Sequence, residues 1–521
     1  MELINRTIQE CFNQRIQETP QALAYHFGEV KYTWAETGNI TFQLAKKLMA
    51  EGVRKGDRVG LLSVNSDAWL FYFFALQAIG AQTVLLNTAL TDDEIIRNIE
   101  LTEVNFLCYG KGYRRTFDEL MNRLNLICMR KSYYGSIKML EGMEYWQEMA
   151  GEYPVDFSIA EVSDQEICCF LFTSGTTKAS KAVMLTHYNV INNARAIAEA
   201  LRWQPADRMC VTVPFFHCFG LTACILTGLQ TGFPLYVLAH YRTLQVCKIL
   251  EQHQCTILNG VPSMFLAMRH NPIHQDYDLT SVRSGIIAGS PIFEQDYYDI
   301  CRMFDSQMRL QPSYGQTESS PCITVADYDD DLKTKATGVG RPIEHVELRV
   351  IDPESGKICQ TGERGMIETR GYHIMKGYYA MPQETAEALK DGWLVTGDIG
   401  YLDEDGYLHI SGRRKNLIIR GGENIAPEEI EYYIRQIEGI DLVKVMGVPA
   451  VVLQEEIVAC ITTKSSKLTA EQITAELREH LAEYKIPRYI FFLNEIEKSA
   501  SGKIDEKKLM KTILRKIKEE S

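Results

Sequence analysis

Short apolar runs alternate with segments of helical spacing through the N-terminal half of the chain. The run from Arg58 to Ser63 predicts a strand, the segment after Asn65 a helix, and Ala81 to Leu86 a second strand. Thr91, followed by Asp92, Asp93 and Glu94, has the form of a helix start. A hydroxyl cap and first-turn acids suit the unpaired N–H groups found there. Phe106 to Tyr109 predicts another strand, and the rhythm returns at Ile167 to Phe172, Met209 to Val213, Thr256 to Leu258 and Ser284 to Ala288. Strands joined through helices pair in parallel, so a mostly parallel sheet covered by helices is expected. The most apolar stretch, Trp69 to Leu86, is interrupted by Gln77, Gly80 and Gln82. It predicts a buried helix turning into a strand, not a membrane span.

Past Gly338 the pattern changes. Glu347 to Ile351, Gly365 to Thr369 and Tyr407 to Ile410 read as short strands separated by turns such as Asp403 to Gly406. A smaller unit begins near Lys415. In it, Pro427 sits at an early helix position, and Ile430, Ile434 and Ile437 form the apolar stripe of that helix. Strands near Leu442 to Val448 and Glu456 to Thr462 follow, then a helix from Thr469 to Leu481. The lysine-rich stretch from Lys498 to Lys518 reads for the most part as a solvated helix face.

Composition narrows the class. The chain has 521 residues, 45% hydrophobic and 24% charged, with a formal net charge of -13. That is the composition of a folded enzyme, and its acidic balance argues against nucleic acid as a partner and against anionic membrane surfaces. The 14 cysteines are scattered with no Cys-x-x-Cys pair, as in a reducing cytoplasm. Met1 to Pro20 carries Glu2, Arg6 and Glu10 and has no apolar signal core, which also points to the cytoplasm.

The chemistry is concentrated in a few segments. From Leu171 and Phe172 the chain enters Thr173, Ser174, Gly175, Thr176, Thr177 and Lys178, and then Lys181. Small hydroxyl residues and a glycine expose O–H and N–H donors in one concave loop, and the lysines offset polyphosphate charge. The spacing is not that of a Walker A loop. Tyr314, Gly315, Gln316, Thr317 and Glu318 form a second segment, and Trp393 to Asp398 ends in a lone carboxylate after a tight turn. Gly412, Arg413, Arg414, Lys415 and Asn416 precede Gly421, Gly422, Glu423 and Asn424. Ser499 to Lys503 closes the series.

In this order the set resembles the adenylate-forming, AMP-binding superfamily: acyl-CoA synthetases, adenylation domains of peptide synthetases, and beetle luciferase. The resemblance covers essentially the whole chain and is strongest to bacterial fatty-acyl or carboxylic acid–CoA ligases. It implies an α/β fold with a large N-terminal domain of helix-covered sheets plus a β-rich subdomain, residues 1–414. A small mobile α+β C-terminal domain, residues 415–521, would follow. It implies that a carboxylate attacks the α-phosphate of ATP to give acyl-AMP and pyrophosphate, and that the CoA thiol then displaces AMP. Mg²⁺ would be held by Glu318, and pyrophosphate by the loop from Thr173 to Lys181. Thr317 would bond the α-phosphate, and Lys503 would bridge carboxylate and phosphate as charge shifts. Tyr314 would lie against the adenine, and Gly289 and Gly315 would belong to the ATP/AMP site. Asp398 would accept from the ribose hydroxyls, and Arg413 would contact ribose or phosphate. Lys415 would be the hinge, and Gly421, Gly422 and Glu423 would meet the CoA arm.

The segment Val213 to Gly220 matches the family's acyl-pocket region, with His217 at the place of a gating histidine. No acidic residue lies between Val211 and Ala239, so a substrate ammonium would be left unpaired and an α-amino acid is disfavoured. Leu221, Ile225 and Leu226, with Gly220 and Gly228, suit an apolar tail. Some positions depart from the family pattern. Lys178, Ser180 and Ala182 replace two glycines and a proline of the phosphate loop, and Val395 stands where a basic residue is frequent. Gln454 stands where a glycine is common. The motifs leave several alternatives open: transfer to an acyl carrier protein, a stand-alone adenylation enzyme, a non-catalytic nucleotide-binding relative, and an oxygenase of the luciferase kind. A homodimer is common among such ligases.

Overall fold

The computed structural model describes residues 1–110, 138–140, 157–173, 180–304, 308–413, 417–463, 468–496 and 506–520. Backbone contacts separate two compact units, one holding Met1–Thr88, Asn98–Thr173 and Lys181–Arg414, the other centred on Lys415–Ser521.

Among the described residues the first unit contains three sheets. A nine-stranded sheet has the order Arg341–Pro342, Cys322–Val325, Arg309–Gly315, Ser284–Ile287, Ile257–Leu258, Met209–Val211, Leu235–Val237, Leu23–Phe27, Val30–Thr33. Its interior, from Arg309–Gly315 to Leu23–Phe27, is parallel, and both edges are antiparallel. A seven-stranded sheet runs Gly377–Tyr378, Lys181–Thr186, Ile167–Thr173, Gln82–Leu85, Arg58–Leu62, Phe106–Tyr109, Lys138–Leu140. It is antiparallel at the Lys181–Thr186 and Gly377–Tyr378 edge. The expected parallel pairing holds in the interiors of both sheets, while the nine-stranded sheet is antiparallel at both edges and the seven-stranded sheet at one. The physical reason is local. A parallel pair needs a crossover of about a dozen residues or more. The links from Thr173 to Lys181 and from Gly315 to Cys322 are too short for one, so each closes a hairpin.

The helix Asp67–Ile79 shows why this layering forms. Ser66 caps it by accepting from the Trp69 N–H, and Gly80, at φ +76°, ends it. Every residue from Ala68 to Ile79 is buried. A helix apolar on nearly every side is stable only inside a core. Phe74 stacks on Phe12 of the helix Ile8–Glu18 with ring centroids 4.3 Å apart. Each such fully buried aromatic contributes roughly 1.5–3 kcal/mol. No helix among the described residues is long and apolar enough to cross a membrane.

The third sheet is antiparallel, in the order Val346–Ile351, Gly365–Gly371, Trp393–Leu402, Leu389–Lys390, with Leu408–Arg413 also paired to Trp393–Leu402. It sets Asp398 opposite Arg413 in register.

In the second unit, Gln454–Thr463 pairs with Ile440–Ala450, Ile418–Arg420 and Tyr489–Phe492, and Ile418–Arg420 pairs with Glu423–Ile425. The helix Pro427–Arg435 buries Ile430 and Ile434 against Ile473 and Leu477 of the helix Ala470–His480. Ile437 lies beyond the first helix's end and packs at the rim of that core. The helix Glu506–Glu520 buries Leu509 and Ile513 while Lys508, Lys511 and Lys518 stay exposed, the solvated face expected from the lysine run. Gln454 has φ +68°, so the side chain found where a glycine is common sits on left-handed backbone.

Candidate active site

The parallel strands of the nine-stranded sheet end on one side, and the candidate residues follow those ends. Ile287 is in register with Pro312 on the neighbouring parallel strand. Gly289 and Tyr314 therefore emerge side by side, two residues further along each. His217 follows the strand Met209–Val211 in the same sheet. In open α/β sheets, ligands bind beyond these carboxyl ends. Gly289 has φ +94°, and a Cβ on Gly315 would lie 1.7 Å from the Pro321 carbonyl oxygen, so only glycine allows that backbone approach.

Tyr314 donates its hydroxyl to Oδ2 of Asp398 at 2.7 Å. Asp398 is buried on the strand Trp393–Leu402, and its N–H donates to Thr396 Oγ1 at 3.1 Å. The third sheet thus delivers its carboxylate to the end of the first.

Thr317 and Glu318 open a short 3₁₀ turn and are both buried. Tyr378 donates to Glu318 Oε1 at 2.8 Å, and the Met375 N–H donates to the Glu318 carbonyl at 2.9 Å. Burial, with the Glu318 charge adding to it, pushes the Tyr378 phenol far above its ordinary range, so it is a donor at any working pH. Lys181 holds its ammonium 4.4 Å from the centre of the Tyr378 ring. It begins the strand Lys181–Thr186 and lies opposite Thr173. The loop leads into a strand, and the next helix, His187–Ala200, starts only beyond that strand.

The Cys218 thiol lies 3.7 Å from both Thr317 Oγ1 and His217 Nδ1. Burial pushes it up to about 12. His217 is exposed and caps its own short helix, with Nδ1 accepting from the Phe219 N–H at 3.2 Å. Leu221, Ile225 and Leu226 are fully buried on a π-helical stretch, Leu221–Leu226, within the main core.

Glu318 suits a hard divalent cation. Among the described residues its Oε2 accepts no hydrogen bond, and no cluster of three or more His, Cys, Asp or Glu forms a dedicated cage. Mg²⁺ is typically held by one or two carboxylates together with substrate phosphates, which matches this donor set.

In the second unit, Gly421 (φ +62°) and Gly422 (φ +92°) make the two-residue turn between Arg420 and Glu423, which face each other in register. Two positive φ angles in a two-residue hairpin loop suit glycine. Arg413 is placed in its strand, opposite Asp398. Ser174, Gly175, Thr176, Thr177, Lys178, Lys415 and Lys503 lie outside the described residues. Tyr378 and Cys218 are the residues that sequence reasoning passes over. Cys218 adjoins His217 and could have been included on that ground. Tyr378 carries no signal beyond the preceding glycine.

The chain matches the profile of AMP-binding enzymes over residues 12–379 and that of the AMP-binding enzyme C-terminal domain over residues 429–503. It is 36% identical to the putative acyl-CoA synthetase YngI of Bacillus subtilis, over 98% of this chain and 97% of that protein. It is 31% identical to the mitochondrial medium-chain acyl-CoA ligase ACSF2 of Bos taurus, over 98% of this chain and 88% of that one. Among solved structures, a double mutant of o-succinylbenzoate CoA synthetase from Bacillus subtilis, bound to a product analogue, aligns with a TM-score of 0.84. The alignment covers 98% of this chain and 99% of that one at 25% identity.

Proposed function

Because the chain belongs to the AMP-binding enzyme family and is an AMP-forming acid–CoA ligase, we propose that its acid is a fatty acid and that the cluster around Tyr314, Glu318 and Asp398 is where the acid is activated. The reaction runs in two steps. A carboxylate oxygen attacks the α-phosphorus of ATP, the bond to pyrophosphate breaks, and acyl-AMP forms. The CoA sulfur then attacks the acyl carbon, AMP leaves with the bridging oxygen, and the thiol proton goes to solvent.

The difficulty in the first step is electrostatic, since both reactants are anions. Tyr314 and Asp398 orient the nucleoside: the phenol fixes one carboxylate oxygen, and the carboxylate would accept from the ribose hydroxyls. Thr317 offers a hydroxyl to the α-phosphate. Lys181 brings a cation to the pyrophosphate, and Lys503 is assigned the charge that moves onto the bridging oxygens. Glu318 would hold Mg²⁺ together with the phosphates, and the ion would supply further neutralisation. Arg413 faces Asp398 in register, which supports its assignment to ribose or phosphate. In the second step Gly421, Gly422 and Glu423 are assigned to CoA, with Lys415 as the hinge between steps.

The fatty-acid reading rests on the absence of acidic residues between Val211 and Ala239 and on relatives named for acyl substrates. A cytoplasmic location agrees with the described cysteines, which are all unpaired, and all but Cys359 buried. The observation that carries the site assignment is the Tyr314–Asp398 bond at the strand ends. The test is a carboxylic-acid panel scored for AMP release with and without CoA. Fatty acids should release AMP with CoA and form its thioester. Preference for aromatic or amino acids overturns the substrate, and thioester formed only on a carrier protein overturns the acceptor.

A further inference from the structure

Tyr378 stands between two side chains of opposite charge. Its hydroxyl donates to Glu318 Oε1 at 2.8 Å, and its ring face carries the Lys181 ammonium at 4.4 Å. Lys181 and Glu318 form no ion pair with each other. The arrangement follows from strand register. Gly377–Tyr378 pairs antiparallel with Lys181–Thr186, and Tyr378 lies opposite Val183. Lys181 is two residues along on the same face, a diagonal neighbour within reach of an aromatic ring.

The frame around the ring is pinned. Lys376 N–H donates to the Met184 carbonyl and Tyr379 N–H to the Ala182 carbonyl, both at 2.9 Å. Tyr378 N–H donates to Thr385 Oγ1, also at 2.9 Å. The ring is 7% exposed, so it has little freedom to leave.

A lysine and a glutamate this close to one ring, with the carboxylate buried, attract each other strongly where water is scarce. Paired directly, the ammonium would be withdrawn from phosphate and the carboxylate from a cation. The ring face offers the ammonium a weaker hold than an ion pair, and the phenol O–H gives the carboxylate a neutral donor. Charged ligand atoms offer the ammonium and the carboxylate a full opposite charge that neither the ring face nor the phenol supplies.

We propose that Tyr378 is a positioning residue that separates Lys181 from Glu318, so that each stays available to the phosphates and the cation of a metal–nucleotide complex. The ligand part of this inference rests on the function proposed above. The separation itself does not.

Two arms test it. The first needs no ligand: a crystal structure of Tyr378→Leu should show Lys181 Nζ within ion-pair distance of the Glu318 carboxylate. The two groups still apart would overturn the proposal. The second measures Mn²⁺ binding by electron spin resonance with a non-hydrolysable ATP analogue. Tyr378→Leu should weaken Mn²⁺ binding about tenfold, a change of ~1.4 kcal/mol. Lys181→Met alone sets the baseline for its lost phosphate contact, and in that background Tyr378→Leu should weaken Mn²⁺ binding no further, because no ammonium remains to occupy Glu318. Tyr378→Phe keeps the ring under Lys181 but loses the hydroxyl donated to Glu318 Oε1, so Mn²⁺ binding should fall less than in Tyr378→Leu, and an equal fall would overturn the role of the ring. An equal further loss on Tyr378→Leu in the Lys181→Met background means Tyr378 only supports the fold, and overturns the proposal. A parent enzyme that binds no Mn²⁺ with nucleotide overturns the metal role of Glu318, and the ligand-free arm still decides the separation.

Discussion

The Tyr314 hydroxyl donates to Oδ2 of Asp398 at 2.7 Å, joining the end of a parallel strand to an antiparallel sheet across 84 residues of sequence. A hydrogen bond to a charged carboxylate contributes about 1.5–3 kcal/mol, more than a neutral pair. Tyr314→Phe should therefore raise the KM for ATP about tenfold. kcat should fall less, and the KM for the acid should stay unchanged. Asp398→Ala, which removes both the ribose acceptor and the partner of Tyr314, should lower kcat/KM for ATP about 100-fold or more. Pyrophosphate–ATP exchange kinetics check both variants. An equal rise in the KM for the acid would place these residues elsewhere.

Lys503 is assigned to the first half-reaction alone. Lys503→Ala should reduce acyl-AMP formation by about 100-fold or more. Thioester formation from supplied acyl-AMP and CoA should be spared. Single-turnover assays of the two halves separate the outcomes, and equal loss in both contradicts the role.

His187 is buried, with Nδ1 accepting from the Ile8 N–H at 3.1 Å, and burial lowers its pKa to about 4. A buried neutral imidazole makes stability depend on pH in a defined sense. Below the ordinary histidine value of about 6.5 the unfolded chain takes up the proton and the native state does not. Stability is therefore lost as pH falls from about 6.5 towards the folded value. Between pH 7 and pH 5 this one group accounts for about 2 kcal/mol. His187→Asn, whose side-chain oxygen can take the place of Nδ1, should reduce the pH dependence of unfolding by roughly that amount. Urea denaturation at the two pH values measures it, and an unchanged slope would show that His187 is not the group involved.

Gln454 holds φ +68° where the resemblance leads one to expect glycine. A side chain in left-handed backbone costs roughly 1–2 kcal/mol, partly offset by the greater freedom of glycine in the unfolded chain. Gln454→Gly should stabilise the second unit by about 0.5–1 kcal/mol. Thermal unfolding should shift upward, and a downward shift would mean that the side chain's contacts outweigh the strain.

The active-site segments were legible because each is a contiguous run whose residue types have one chemical use together. Tyr314, Gly315, Thr317 and Glu318 could be read in a single pass, as could the carboxylate of Asp398 after its turn. The strand Phe106–Tyr109 could be read to the residue, whereas Leu408–Arg413 and Ile440–Ala450 extend two or three residues past the expected ends. The pairing sense at the sheet edges was less legible. Alternation of strands and helices signals parallel pairing, and it hides the antiparallel pairing that sets Thr173 opposite Lys181. Tyr378 could not be found at all, since its meaning lies in contacts to Glu318, 60 positions away, and to Lys181.

By itself the sequence determined the family and the reaction class and put forward the candidate chemical groups, because covalent order preserves motif spacing and side-chain type. Only the tertiary structure decided which groups meet. The pairing of Tyr314 with Asp398 and the placement of Tyr378 between Lys181 and Glu318 depend on strand register and on how separate sheets converge. A one-residue slip in register turns every side chain of a strand to the opposite face, and no local pattern in the chain encodes that choice across such separations.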